Sequence, residues 1–164
     1  MEDTTEDEHR WKKKRSRTAL LFDPVSAEEN AAALKKKMRE TITKDRENIQ
    51  KRIPGVLRMK LLPSVVEQLE KRPTQEIFLD ANILEEIRIW LEPLGVCLTF
   101  PCPELRDTLL RLLFSMPIQV DHLRESGVGK IVMFYSRTKT GQFSETKKHA
   151  KRLMKKWIQE MFQE

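Results

Sequence analysis

Three stretches of this 164-residue chain carry residue types and spacings that chemistry can use. The run Gly127-Val128-Gly129-Lys130 has the outline of a phosphate-cradling loop, in which backbone N–H groups wrap a phosphate and the lysine reaches its outer oxygens. Such a loop needs glycine at position 124 and Ser or Thr after the lysine, where Arg124 and Ile131 stand, so the reading fails. Cys97 and Cys102, the only cysteines, lack the spacing of a zinc knuckle and a second pair, while His9, His122 and His149 are scattered. There is no Gly-x-Ser-x-Gly elbow, and the acidic residues fall on helix faces beside Lys or Arg. No catalytic, cofactor or metal site is expected, and the chain reads as a binding module. The third stretch is the last helix, where Lys147, Lys151 and Lys155 form one row and Lys148, Arg152 and Lys156 another. Lys148, Arg152 and Lys156 are the face that would meet nucleic-acid phosphates.

The elements that position these residues are helical. Asp80 to Leu94 organises the chain: Ile83, Leu84, Ile87, Trp90, Leu91 and Leu94 recur at helical spacing, with Ile89 on a second flank. Asn82 with Glu85 makes a capping-box pattern at its start, and Pro93 and Gly95 supply the stop. A helix apolar on two flanks has neighbours on both sides, which places Trp90 in the core. Ser26 with Glu29 suggests a second capping box, opening an outer helix striped by Leu34, Met38, Ile42 and Ile49 and ended by Pro54-Gly55. A short helix through Leu61 should end near Pro63, itself in the first turn of the next. Thr74 to Leu79 adds a turn or two. Pro103 opens the Leu105–Met116 helix, Pro117 stops it, and Gly127 closes a short helix from Val120. The apolar run Ile131 to Tyr135 suits a strand or a helix, and with no second strand to pair, helix is the expectation. Ser144 is expected to cap the final helix, with Leu153 and Trp157 in the core. The sum is an all-α, irregular right-handed stack of about seven or eight helices, of the HEAT or armadillo kind.

Composition bounds the rest. A charged fraction of 34% and a net charge of +6 suit an acidic partner, whether nucleic acid or protein. Two cysteines, no apolar run near the roughly 20 residues of a membrane span and no signal-peptide core lead us to expect a reduced, soluble, intracellular protein. Residues 1–25 read as a charged tail, acidic from Glu2 to Glu8 and basic over Lys12 to Arg17, the latter run resembling a nuclear address. Trp11 and Leu20-Leu21-Phe22 are too apolar for a spacer, so they fold back on the domain or dock into another protein. Residues 26–164 form the helical domain.

Several stretches together resemble the Iws/Spn family of transcription elongation factors, whose core is the helical domain also found at the N-terminus of transcription factor IIS. They are residues 60–94, with a leucine-leucine-proline helix and a W-L-x-P-L end; 122–139, with an S-G-x-G-[KR]-x-V-[MI]-[FY] run; and 147–162, with the Leu153–Trp157 pair of the LW domain. The likeness implies a nuclear adaptor that travels with RNA polymerase II and binds the acidic, disordered N-terminal segment of the Spt-six histone chaperone. It further implies links to chromatin and to messenger RNA processing and export, as a monomer or heterodimer; the alternative, read from the basic face of the last helix, is a module that binds DNA, RNA or a nucleosome, weakly at that. By motif match the partner cleft is expected around Lys60, Lys130, Met133, Phe134, Tyr135 and Arg137. Met133 and Phe134 would form the apolar floor, and Lys60, Lys130 and Arg137 would steer acidic residues. The chain departs from the family at its end, where Trp157 is followed by Ile-Gln-Glu-Met-Phe instead of an Arg-Pro ending and a basic tail, so tail contacts are not carried over.

Overall fold

The computed structural model describes residues 23–163. Eight α-helices run through them: α1 Pro24–Gln50, α2 Leu57–Leu69, α3 Arg72–Asp80, α4 Ile83–Leu91, α5 Pro103–Ser115, α6 Val120–Ser126, α7 Val128–Arg137 and α8 Ser144–Phe162. A 3-10 turn, Gly141–Phe143, leads into α8. Among the described residues there is no strand, only an isolated bridge between Leu94 and Thr99 that pins the loop after α4. Among the described residues no helix is long and apolar enough to cross a membrane. The all-α stack expected from the sequence is what forms, and residues 128–137 are helix. The expected docking residues Trp11 and Leu20–Phe22 lie outside the described residues.

α4 sits at the centre, packed against α1, α3, α5, α6 and α7. Its buried face is Ile83, Leu84, Glu86, Ile87, Trp90 and Leu91. Trp90 is fully buried and its Nε1–H donates to the Met38 carbonyl of α1 at 3.0 Å. One polar chain then ties three helices together. The buried Asp45 carboxylate accepts from the backbone N–H groups of Leu57 (3.0 Å) and Arg58 (3.1 Å) and from Arg58 Nε (2.9 Å). Arg58 Nη1 donates onward to the Trp90 carbonyl at 3.0 Å. Asp45 thus caps α2 from 12 residues upstream, where Val56 at the N-cap position offers no side-chain acceptor. A second cross-tie is the two-pronged Arg39–Glu86 pair, at 2.8 and 2.9 Å, with Glu86 buried.

Several local expectations are corrected. α1 is capped by Asp23, whose Oδ1 accepts from Val25 N–H at 3.1 Å, with Pro24 in the first turn, so Ser26 and Glu29 form no box and the helix starts inside the expected tail. Pro63 lies inside α2 and does not divide it: Arg58, Leu62, Val65 and Leu69 form one buried stripe, and that packing outweighs the single N–H that proline removes. Asn82 precedes α4 in a left-handed conformation (φ 61°), and its side chain donates to Glu85 at 3.3 Å without capping a backbone N–H. Ser144 is the first residue of α8 and not its cap. The buried hydroxyl in that turn belongs to Thr146, which accepts from Arg106 Nε (3.1 Å) and donates to Asp107 (2.7 Å).

Candidate partner-binding surface

The Ser126-Gly127-Val128-Gly129 turn sets the position of α7. Gly127 at φ 71° ends α6 and starts α7 in a conformation that L side chains avoid. Buried Ser126 accepts the Val128 N–H on its hydroxyl (3.2 Å), and its carbonyl accepts from Arg88 Nε (2.8 Å), which anchors the turn to α4. The residues that outline a phosphate loop in sequence therefore make a helix–helix corner. His122 is also structural. Its Nδ1 accepts the Gln119 N–H at 3.1 Å, so Nε2 carries the proton toward Asp80 Oδ1 at 3.2 Å.

From that corner α7 turns Val128, Ile131, Val132 and Tyr135 inward and Lys130, Met133, Phe134 and Arg137 outward. Tyr135 is a correction to the expected partner contacts. It is fully buried, its hydroxyl donates to the Leu91 carbonyl at 2.6 Å, and burial pushes its phenol well above the usual tyrosine range. It positions α7 on α4 and offers nothing to a partner. Met133 and Phe134 remain 38% and 45% exposed. The Phe134 ring stacks on Phe100 (centroids 5.7 Å, planes 6° apart) and meets Tyr135 edge-on at 5.4 Å. Phe100 in turn abuts Phe143 at 5.1 Å, and the Arg106 guanidinium lies 4.6 Å from the Phe143 ring. Phe134 is therefore an exposed ring on a rigid aromatic base. Phe100, in the loop after α4, was not signalled by helical spacing; an aromatic between a turn and a proline is the only hint.

Two shallow hollows lie along this face of α7, and Phe134 lines one of them. One, of about 350 Å³, is lined by Lys130, Met133, Phe134, Arg137 and Thr138. Lys130 and Arg137 are exposed and make no ion pair among the described residues. The other, of about 390 Å³, shares Lys130 and Met133 and opens toward α6 and α8. Lys60 is exposed on α2 and lines neither hollow.

The proposed phosphate row on α8 is largely occupied. Lys148 pairs with Glu145 at 3.1 Å. Arg152 and Lys156 lie 5.1 and 4.8 Å from the Phe114 ring centroid, and Lys156 also donates to the Phe114 carbonyl. Leu153 and Trp157 are buried beneath, as expected. Cys97 and Cys102 are both exposed and unpaired.

A long first helix, a central α4 and a basic last helix make up an all-α domain. A family model described as "Med26: TFIIS helical bundle-like domain" matches residues 108–161. The chain is 37% identical over 130 residues to "Transcription factor IWS1" of Yarrowia lipolytica, covering 79% of this chain and 31% of that protein. It is 33% identical over 137 residues to "Transcription factor SPN1" of Saccharomyces cerevisiae, covering 79% and 33%. A chain in the crystal structure of a Spt6-Iws1(Spn1) complex from Encephalitozoon cuniculi is 37% identical, with a TM-score of 0.78 over 83% of this chain and 98% of that one. The chain belongs to the Iws1/Spn1 family of transcription factors. It spans about a third of the length of the curated relatives it matches.

Proposed function

We propose that this domain is a nuclear adaptor of RNA polymerase II elongation and not an enzyme, and that it binds an acidic, aromatic-bearing segment of an Spt6-type histone chaperone. Through that partner it links elongation to chromatin and to messenger RNA processing and export. The observation that carries the reading is Phe134: a ring held half out of the surface by Phe100 and Tyr135, beside two cations that make no ion pair among the described residues. An aromatic or aliphatic anchor of the partner packs on Phe134 and Met133, while Lys130 and Arg137 attract its carboxylates and speed encounter. Membership of a family with a relative solved in an Spt6 complex supports the choice of partner. No observation favours nucleic acid at the Lys148–Arg152–Lys156 row over this reading.

The test is a fluorescence-anisotropy titration of the Spt6 chain of the E. cuniculi complex against the wild type and Phe134→Asp. Phe134 is nearly half exposed, so the substitution leaves the fold intact. A loss of about 2 kcal/mol, roughly 30-fold, is expected for an interface anchor. Equal affinities would defeat the assignment.

A further inference from the structure

The trough between α6, α7 and α8 is a largely apolar hollow. Leu123, Met133, Met154, Ile158 and Met161 line it, and Ile158 and Met161 are each 44% exposed. Isolated exposed apolar residues need no explanation, but a contiguous set rimmed by charge marks a contact surface. The rim here is Arg124 and Lys130, and among the described residues Arg124 has only the exposed Asp121 as an ion-pair partner, at 3.7 Å. Three of the five lining residues named are methionines, side chains that re-pack around an incoming group.

Trp157 adds an independent observation. Its indole is 3% exposed and contributes to this trough and to the adjoining hollow of about 120 Å³ beside Ile118 and Gln119. Its Nε1 is buried without an acceptor among the described residues. Buried donors in folded proteins are overwhelmingly paired, as Trp90 Nε1 is with Met38. Met161 lines both hollows, so a shift of its flexible thioether opens the indole to an occupant.

We infer that the partner segment does not end at Phe134 but runs on into this trough, seating a second apolar side chain there and supplying a carbonyl to Trp157 Nε1–H. The inference rests on the function proposed above. Continuity supports that occupant, because Lys130 and Met133 line both hollows and Lys130 lies one helical turn, on the order of 6 Å, from Phe134. Charge supports it as well: the Arg124–Lys130 rim extends the cationic track of Lys130 and Arg137 for an acidic segment.

Two measurements on the full 164-residue chain test this, with the Spt6 chain of the E. cuniculi complex as the probe. In a ¹H–¹⁵N spectrum of the indole region, saturation with the probe should move the Trp157 Nε1–H peak downfield and leave that of Trp90 in place. In a titration, Ile158→Asp at a half-exposed site should weaken binding at least tenfold, and Ile158→Leu should restore it. If Phe134→Asp abolishes binding while Ile158→Asp is silent and the Trp157 peak stays fixed, this inference is overturned and the proposed function stands. If the wild type does not bind the probe at all, the proposed function falls and this inference with it. If deleting residues 1–22 moves the Trp157 peak without any probe, the trough holds the chain's own segment and the inference is likewise overturned.

Discussion

Replacing Asp45 by Asn removes one charge from a site no solvent reaches. Asp45 is fully buried, Arg58 nearly so, and the carboxylate takes three hydrogen bonds, from two backbone N–H groups and the guanidinium Nε. Asparagine keeps the shape and one acceptor oxygen, but it leaves the Arg58 charge uncompensated and turns an NH₂ toward one of the donors. Breaking a buried pair by removing one partner costs about 3–5 kcal/mol, and the retained oxygen puts Asp45→Asn near the lower end. For the roughly 140 described residues the unfolding entropy is on the order of 300 cal/mol/K, so a loss of 3 kcal/mol lowers Tm by about 10 °C. Urea unfolding followed by circular dichroism at 222 nm, with Arg58→Met and the double variant, closes a double-mutant cycle. The double variant should be less destabilised than the sum of the singles, because it buries no lone charge. Added salt should change little, since the pair is shielded from screening. A cost for Asp45→Asn under about 0.5 kcal/mol, or strict additivity, would refute the view that this pair ties α1, α2 and α4 together.

Three further outcomes are expected. The Tyr135 phenol is held above its ordinary value by burial, so above about pH 10 the unfolded chain ionises first and stability falls as pH rises; urea midpoints at pH 8 and 10.5 should drop further for the wild type than for Tyr135→Phe, which has no phenol to titrate. At pH 7, Tyr135→Phe should cost about 1–3 kcal/mol, because the buried Leu91 carbonyl loses its donor. Gly127→Ala should cost about 1–2 kcal/mol from its left-handed backbone alone, as the space beside Arg88 admits a methyl group, whereas Gly129→Ala, inside α7 with open space around it, should be neutral or stabilising in a thermal melt.

Much of the architecture was legible because it rests on local rules. Helical spacing placed α4 with Trp90 inward, and Pro103 and Gly127 marked real ends; residues 130–136, which local rules left between strand and helix, were readable as helix only from the want of a pairing strand and the family likeness. Where legibility failed, a distant group had replaced a local one. Asp45 caps α2 across 12 residues, so no pattern near Val56 announces it, and Asp23 with Pro24 outcompetes the Ser26–Glu29 box. Pro63 misled because the stripe from Arg58 to Leu69 overrides its break. At the surface, the Met133-Phe134-Tyr135 run was readable as important but not as divided: a helix turns successive residues about 100° apart, sending Tyr135 into the core and Phe134 outward. The α8 row shows the other limit, since sequence supplies a charge but not its neighbours.

Cross-saturation transfer from an unlabelled Spt6 segment to the labelled domain tests most directly whether Phe134 and its cationic flanks are the recognition surface. Signal loss should concentrate at Lys130, Met133, Phe134 and Arg137, with Lys60 and the Lys148–Arg152–Lys156 row unaffected. Attenuation centred on Lys60 or on that row, with residues 130–137 untouched, would contradict the account.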